Sequence, residues 1–157
     1  MNSSQKLVLI VCTGNTCRSP MAECLLKVAQ SKHAELANYR FQSAGTFAQE
    51  NQPASFNALY ALEEKNLSLN THRSKMLNRA LVDEASLILG MTSGHLEQIL
   101  LQFDIPAKKL RTFSQLCDGE CSDIPDPYGK SLDAYKACLA SIEASIPAIV
   151  QYLIEQG

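Results

Sequence analysis

The chain has 157 residues, 46% hydrophobic and 19% charged, with a formal net charge of −2. That length carries one domain, 1–157, with a substantial core, and the charge leaves no basic surplus to cover nucleic-acid phosphates. The first apolar run is too short for a signal-peptide core or a membrane span, so the expected setting is cytosolic, with reduced thiols and no membrane partner.

LVLIVC (7–12) is a continuous apolar run, the pattern of a strand buried on both faces of a parallel sheet. SPMAECLLKVAQSK follows, with Ser19 as the expected N-cap, Pro20 at the first helical position and an apolar stripe through Met21, Leu25 and Val28. YRFQSAG (39–45) alternates as a second strand, and residues 53–66 read as a helix. SLILGM (86–91) is a third buried strand, followed by a short helix from Gly94 to Leu101. KLRTFSQL (109–116) is a weaker fourth strand, and the acidic, turn-rich stretch 117–131 is a loop. Leu132, Tyr135, Leu139, Ile142, Ile146, Ile149 and Leu153 form one face of a closing helix that Pro147 should kink or split. Strands alternating with helices predict an α/β fold with a parallel sheet, whose ligands sit outside the carboxyl ends of the strands.

The stretch VCTGNTCRSP ends the first strand and starts the first helix, and it carries the pattern C-x5-R from Cys12 to Arg18. N–H groups at a helix start and the helix dipole favour an anion there. Gly14 and Asn15 tolerate left-handed backbone, so Thr13, Gly14, Asn15, Thr16 and Cys17 can turn their N–H groups inward. Arg18 adds a planar fork that matches phosphate oxygens. The same field should lower the pKa of Cys12 and make it a thiolate nucleophile aimed at phosphorus. A Walker loop would need a second Gly and a Lys. A zinc site on Cys12, Cys17, Cys117 and Cys121 has untypical spacing and would set the cation beside Arg18, so no metal and no cofactor are expected. A C-x-x-C redox pair is absent.

The whole string VCTGNTCRSPMAE resembles the signature of the low-molecular-weight protein tyrosine phosphatases. SAGT at 43–46, the Met at 91 and DPYG at 126–129 match in order, so the resemblance spans essentially the whole chain. It implies a single-domain, four-stranded parallel twisted sheet with helices on both faces, the phosphate-binding loop after the first strand, a phosphorylated protein substrate and a phosphocysteine intermediate. Carried over by position, Cys12 is the nucleophile, Arg18 binds the phosphoryl group, and Ser19 donates to the thiolate. Asn15 holds the loop, supported by Ser43 and His72, and Asp126 is the general acid. Asp118, Glu120 and Asp123 are the other carboxylates of that loop, but only Asp126 precedes a stiffening proline. The expected assembly is a monomer.

Cys17 reads as a small buried side chain or a resolving thiol for oxidised Cys12. Cys24 and Cys138 read as packing, Cys117 and Cys121 as surface thiols, and His33 and His95 as ordinary surface or satisfied histidines. The rim of the pocket departs from the family's tyrosine phosphatases. Gln49 stands where they carry an aromatic, with Phe47 as its substitute, Thr92 replaces an Asp, Thr16 replaces an apolar β-branched residue, and Tyr128 is followed by Gly129. These departures resemble the branch that acts on phosphoarginine and lean toward it, leaving phosphotyrosine open. An arsenate-reductase-like thiol oxidoreductase on the same fold is the alternative, but only Cys117 and Cys121 could relay a disulfide, and the acid of DPYG is intact.

Overall fold

The computed structural model describes residues 5–117 and 123–157. Lys6–Cys12 (β1) forms the strand that the apolar run predicts. Its alternation feeds two core layers: Val8, Ile10 and Cys12 join one, and Leu7, Leu9 and Val11 the other. A strand apolar on both faces needs cover on both. β1 pairs in parallel with Tyr39–Gly45 (β2) on one side and Ala85–Gly90 (β3) on the other, and β3 pairs with the short Leu110–Thr112 (β4). The strand order is β2-β1-β3-β4. Consecutive connections thus leave β1 in opposite directions, which puts its carboxyl end at a switch point.

On one face lie Arg18–Lys32 (α1), Phe56–Glu63 (α2) and Leu132–Gln156 (α6), with α1 and α2 both packed on α6. On the other lie Arg79–Glu84 (α3) and Ser93–Gln102 (α4), which bury Val82 and Ile99. α6 is long and apolar enough to cross a membrane by composition, yet its apolar face is the one that fills the core. Each fully buried Leu or Ile there contributes about 1.5–3 kcal/mol. Pro147 does not split it. The proline stands at an exposed position, and buried Ile142 and Ile149 hold both halves on one core.

Elsewhere the chain departs from its local pattern. The helix expected over 53–66 is confined to α2, because Pro53–Ser55 turn toward the carboxyl end of β1. The fourth strand stops at Thr112. There Thr112 and Gln115 exchange side-chain-to-backbone hydrogen bonds in a capping box that starts the short helix Phe113–Leu116 (α5). α3 carries no sequence expectation; Asn78 caps it by accepting from Leu81 N at 2.9 Å. At the end of β2, a Cβ on Gly45 would lie 2.3 Å from the Thr13 carbonyl oxygen. Only glycine lets β2 approach the loop after β1 so closely.

Candidate active site

The loop from Cys12 to Ser19 closes around Asn15. Asn15 has φ 58°, the left-handed backbone that Asn tolerates better than most residues, and it is fully buried. Its amide donates to Ser19 Oγ at 2.8 Å and to Ser43 Oγ at 2.9 Å, and its Oδ1 accepts from Lys75 N at 2.8 Å. His72 Nε2 donates to the Asn15 carbonyl at 2.7 Å. Ser43 passes its own hydrogen to Glu23 Oε1 at 2.6 Å. Ser19 Oγ accepts from Asn15 and lies 2.9 Å from Cys12 Sγ, where its own hydrogen can be donated to the thiolate. Glu23, part of this chain through Ser43, closes the string VCTGNTCRSPMAE, but nothing in the sequence gives it this supporting role.

Two expectations about the loop are corrected. Gly14 does not take a left-handed conformation, and a Cβ there would meet only Thr16 Oγ1 at 3.8 Å; Asn15 alone makes the turn. Ser19 is not the N-cap of α1. The helix starts at Arg18 after Cys17, and the Ser19 hydroxyl is spent on the Cys12 sulfur. The Cys12 pKa is a third correction. Burial pushes the thiol above its ordinary value, while the Ser19 hydroxyl, the Ser19 backbone, the Arg18 charge and the Asn15 backbone pull it down. Desolvation disfavours the anion more than an inspection of charges suggests.

Arg18 is 4% exposed. It donates through Nη1 to the Ile124 carbonyl at 3.0 Å, and its Nη2 lies 3.5 Å from both Thr13 Oγ1 and Asp126 Oδ2. Asp126 is half-exposed at the cavity mouth, and its Oδ1 accepts from Tyr128 N at 3.0 Å. Asp123 is also exposed but faces Ser93 and Ser114. Asp118, Glu120 and Cys121 lie outside the described residues.

A cavity of ≈ 700 Å³ opens over Cys12, Arg18 and Asp126 and is bordered by Thr13, Thr16, Phe47, Gln49 and Tyr128. Another, of ≈ 690 Å³, lies against the outer side of α1 near Lys27, His72 and Arg73 and touches neither Cys12 nor Arg18. Cys12, Arg18 and Asp126 come together in the first. Thr92 is not part of that cavity: it is the N-cap of α4, its Oγ1 accepting from His95 N. Phe56, missing from the expected rim, borders the cavity and is 78% exposed. The rim is thus more aromatic than the residue at 49 suggests. Cys17 is buried against Tyr135 Oη (3.3 Å) and Ser55 Oγ (3.4 Å). Ser55 N also donates to the Thr16 carbonyl at 3.0 Å, tying α2 to the loop. Cys117 is buried, a correction to its expected surface position, because the turn of α5 folds it inward. Cys138 is buried, Cys24 half-buried and His33 exposed.

The model of the family described as "Low molecular weight phosphotyrosine protein phosphatase" matches residues 7–157. The chain belongs to this family. A protein-arginine-phosphatase from Geobacillus stearothermophilus is 38% identical over 146 residues, 93% of this chain and 95% of the relative. The low molecular weight protein-tyrosine-phosphatase Wzb of Escherichia coli K12 is 37% identical over 138 residues, 88% of each chain. The structure of the YwlE arginine phosphatase from Geobacillus stearothermophilus superposes with a TM-score of 0.87 at 38% identity, covering 96% of this chain and 94% of that one. Family members of both kinds are hydrolases, and this chain is a cysteine-based protein phosphatase acting on phosphoprotein substrates.

Proposed function

We propose that the chain is a protein-arginine phosphatase working through a phosphocysteine intermediate. Cys12 attacks phosphorus as the thiolate, which the Ser19 hydroxyl and the Arg18 charge stabilise against the cost of burial; the P–N bond to the guanidino nitrogen breaks, and Asp126 protonates the departing nitrogen. Arg18 and the N–H groups of residues 13–18 hold the equatorial oxygens, so the work is positioning and charge stabilisation. Asp126, now a carboxylate, takes a proton from water as the water attacks phosphorus. The P–S bond breaks, inorganic phosphate leaves, and the Cys12 thiolate returns. A solved YwlE variant with a phosphorylated active-site serine in place of a cysteine (38% identity, TM-score 0.87) supports transfer to the residue at this position. Five described cysteines are thiols, which suits a cytosolic setting.

Thr16 carries the choice of substrate. It borders the cavity beside Cys12 and Arg18, and its hydroxyl makes that wall polar. A polar wall and a half-exposed carboxylate suit a planar, charged guanidinium. Phosphotyrosine is the second reading, favoured by the aromatic rim of Phe47, Phe56 and Tyr128. The deciding experiment compares kcat/KM on phosphoarginine and phosphotyrosine peptides of matched sequence, with Cys12→Ser as blank. The expected result is a preference for phosphoarginine that Thr16→Ile moves toward phosphotyrosine by about tenfold or more, the scale of one lost polar contact. A wild-type preference for phosphotyrosine overturns the arginine reading.

A further inference from the structure

His95 is 4% exposed, sits in the first turn of α4 and uses both ring nitrogens. Its Nδ1 accepts from the backbone N–H of Thr92 at 3.2 Å. A backbone N–H can only donate, so Nδ1 carries no hydrogen. Burial and the neighbouring Arg18 charge lower the His95 pKa to about 4, which keeps the ring neutral near pH 7. The one ring hydrogen is therefore on Nε2, and it is donated to Thr13 Oγ1, 2.9 Å away. Thr13 Oγ1 also accepts, over a longer 3.5 Å, from Arg18 Nη2. Both acceptor positions of the hydroxyl face donors, and its own hydrogen remains. Thr13 borders the catalytic cavity. Among the described residues no acceptor takes that hydrogen.

We infer that the Thr13 side-chain hydroxyl is a catalytic hydrogen-bond donor to a phosphoryl oxygen in the cavity, and that His95 is the positioning residue that aims it. The bond from His95 occupies an acceptor position of the Thr13 oxygen and holds it in place, which leaves the hydroxyl hydrogen as the group to donate into the cavity. Thr13 and Arg18 then present two donors side by side to one oxyanion, the arrangement that stabilises charge growing on the equatorial oxygens. α4 enters the chemistry through this contact: the capping box that starts the helix also fixes the tautomer. His95 has a sequence signal, since it stands three residues after Thr92, where a capping box places its return partner.

The inference rests on the phosphatase reading of the cavity, not on which amino acid carries the phosphoryl group. A small aryl phosphate is therefore the probe, assayed with wild type, Thr13→Val, Thr13→Ser, His95→Phe and the double variant Thr13→Val/His95→Phe. Thr13→Val should lower kcat about tenfold, the scale of one hydrogen bond to a charged group, while Thr13→Ser retains most of it. His95→Phe should lower kcat in the wild-type background and have no further effect on kcat in the Thr13→Val background. A merely structural histidine would lower stability and slow both backgrounds alike. If His95→Phe does not fold, His95→Asn takes its place in the cycle. Full kcat in Thr13→Val, or a His95 effect that persists without the hydroxyl, overturns the inference. Wild type inactive on both the aryl phosphate and a phosphoarginine peptide would instead sink the phosphatase reading itself.

Discussion

The floor and the rim of the cavity are built by opposite rules. On the floor, Asn15, Ser19 and Ser43 are buried, and each of their side chains hydrogen-bonds within one connected network. On the rim, Phe47 is 82% exposed and Tyr128 72%, and only their backbones are anchored, to Thr13 O and Asp126 Oδ1. A buried polar group left unpaired costs ~1–3 kcal/mol, so the floor tolerates little change. An exposed aromatic costs little to replace, so the rim can vary while the chemistry stays. One loop can thereby serve several substrates across a family whose members include arginine and tyrosine phosphatases.

The comparison breaks most sharply at Asn15. Asn15→Ala should lower stability by about 2–4 kcal/mol, combining a strained left-handed backbone with the orphaned Lys75 N–H and serine hydroxyls. Urea unfolding measures this. Asn15→Gly, which relieves only the strain, should recover part of the loss, and an unchanged midpoint in Asn15→Ala would show that the floor is not rigidly specified.

Ser19→Ala probes the floor's electrostatics. The Ser19 hydroxyl holds the Cys12 pKa down against burial, so removing it raises that pKa further. Thiolate forms only as pH rises through the pKa, so the pH midpoint for alkylation of Cys12 by iodoacetamide should move upward. A midpoint that stays or falls would mean that the Ser19 hydroxyl does not donate to the Cys12 thiolate.

The smallest effect is expected on the rim. Phe56→Ala removes an aromatic that is 78% exposed, so the unfolding midpoint should hardly move. KM for phosphopeptides should rise about two- to fivefold with kcat unchanged, the signature of binding shared by ground and transition states. A fall in kcat instead would mean that the tie from Ser55 N to the Thr16 carbonyl transmits changes in α2 to the floor.

Much of this site was legible in the chain. C-x5-R at a strand end followed by a helix points to an anion-binding loop from local pattern, and it singles out Cys12, Arg18 and Asn15. Pro127 and the resemblance single out Asp126, and the structure brings it to 3.5 Å from Arg18. The resemblance places Thr92 at the pocket, where the family's tyrosine phosphatases carry Asp, yet its hydroxyl belongs to a helix cap. Phe56 carries no local signal, because a residue in the first turn of a helix gives no hint of which cavity it borders.

Alternation and loop composition depend on neighbours along the chain, and they determined β1, the four parallel strands and the loop that carries Cys12 and Arg18. Contacts across long separations were decided only by the tertiary structure. His95 reaches Thr13 over 82 positions, Tyr135 reaches Cys17 over 118, and burial reverses the expected direction of the Cys12 pKa. The reason is physical: a hydrogen bond's direction and a charge's desolvation depend on what surrounds the group in space. Packing supplies those surroundings only after the chain has folded.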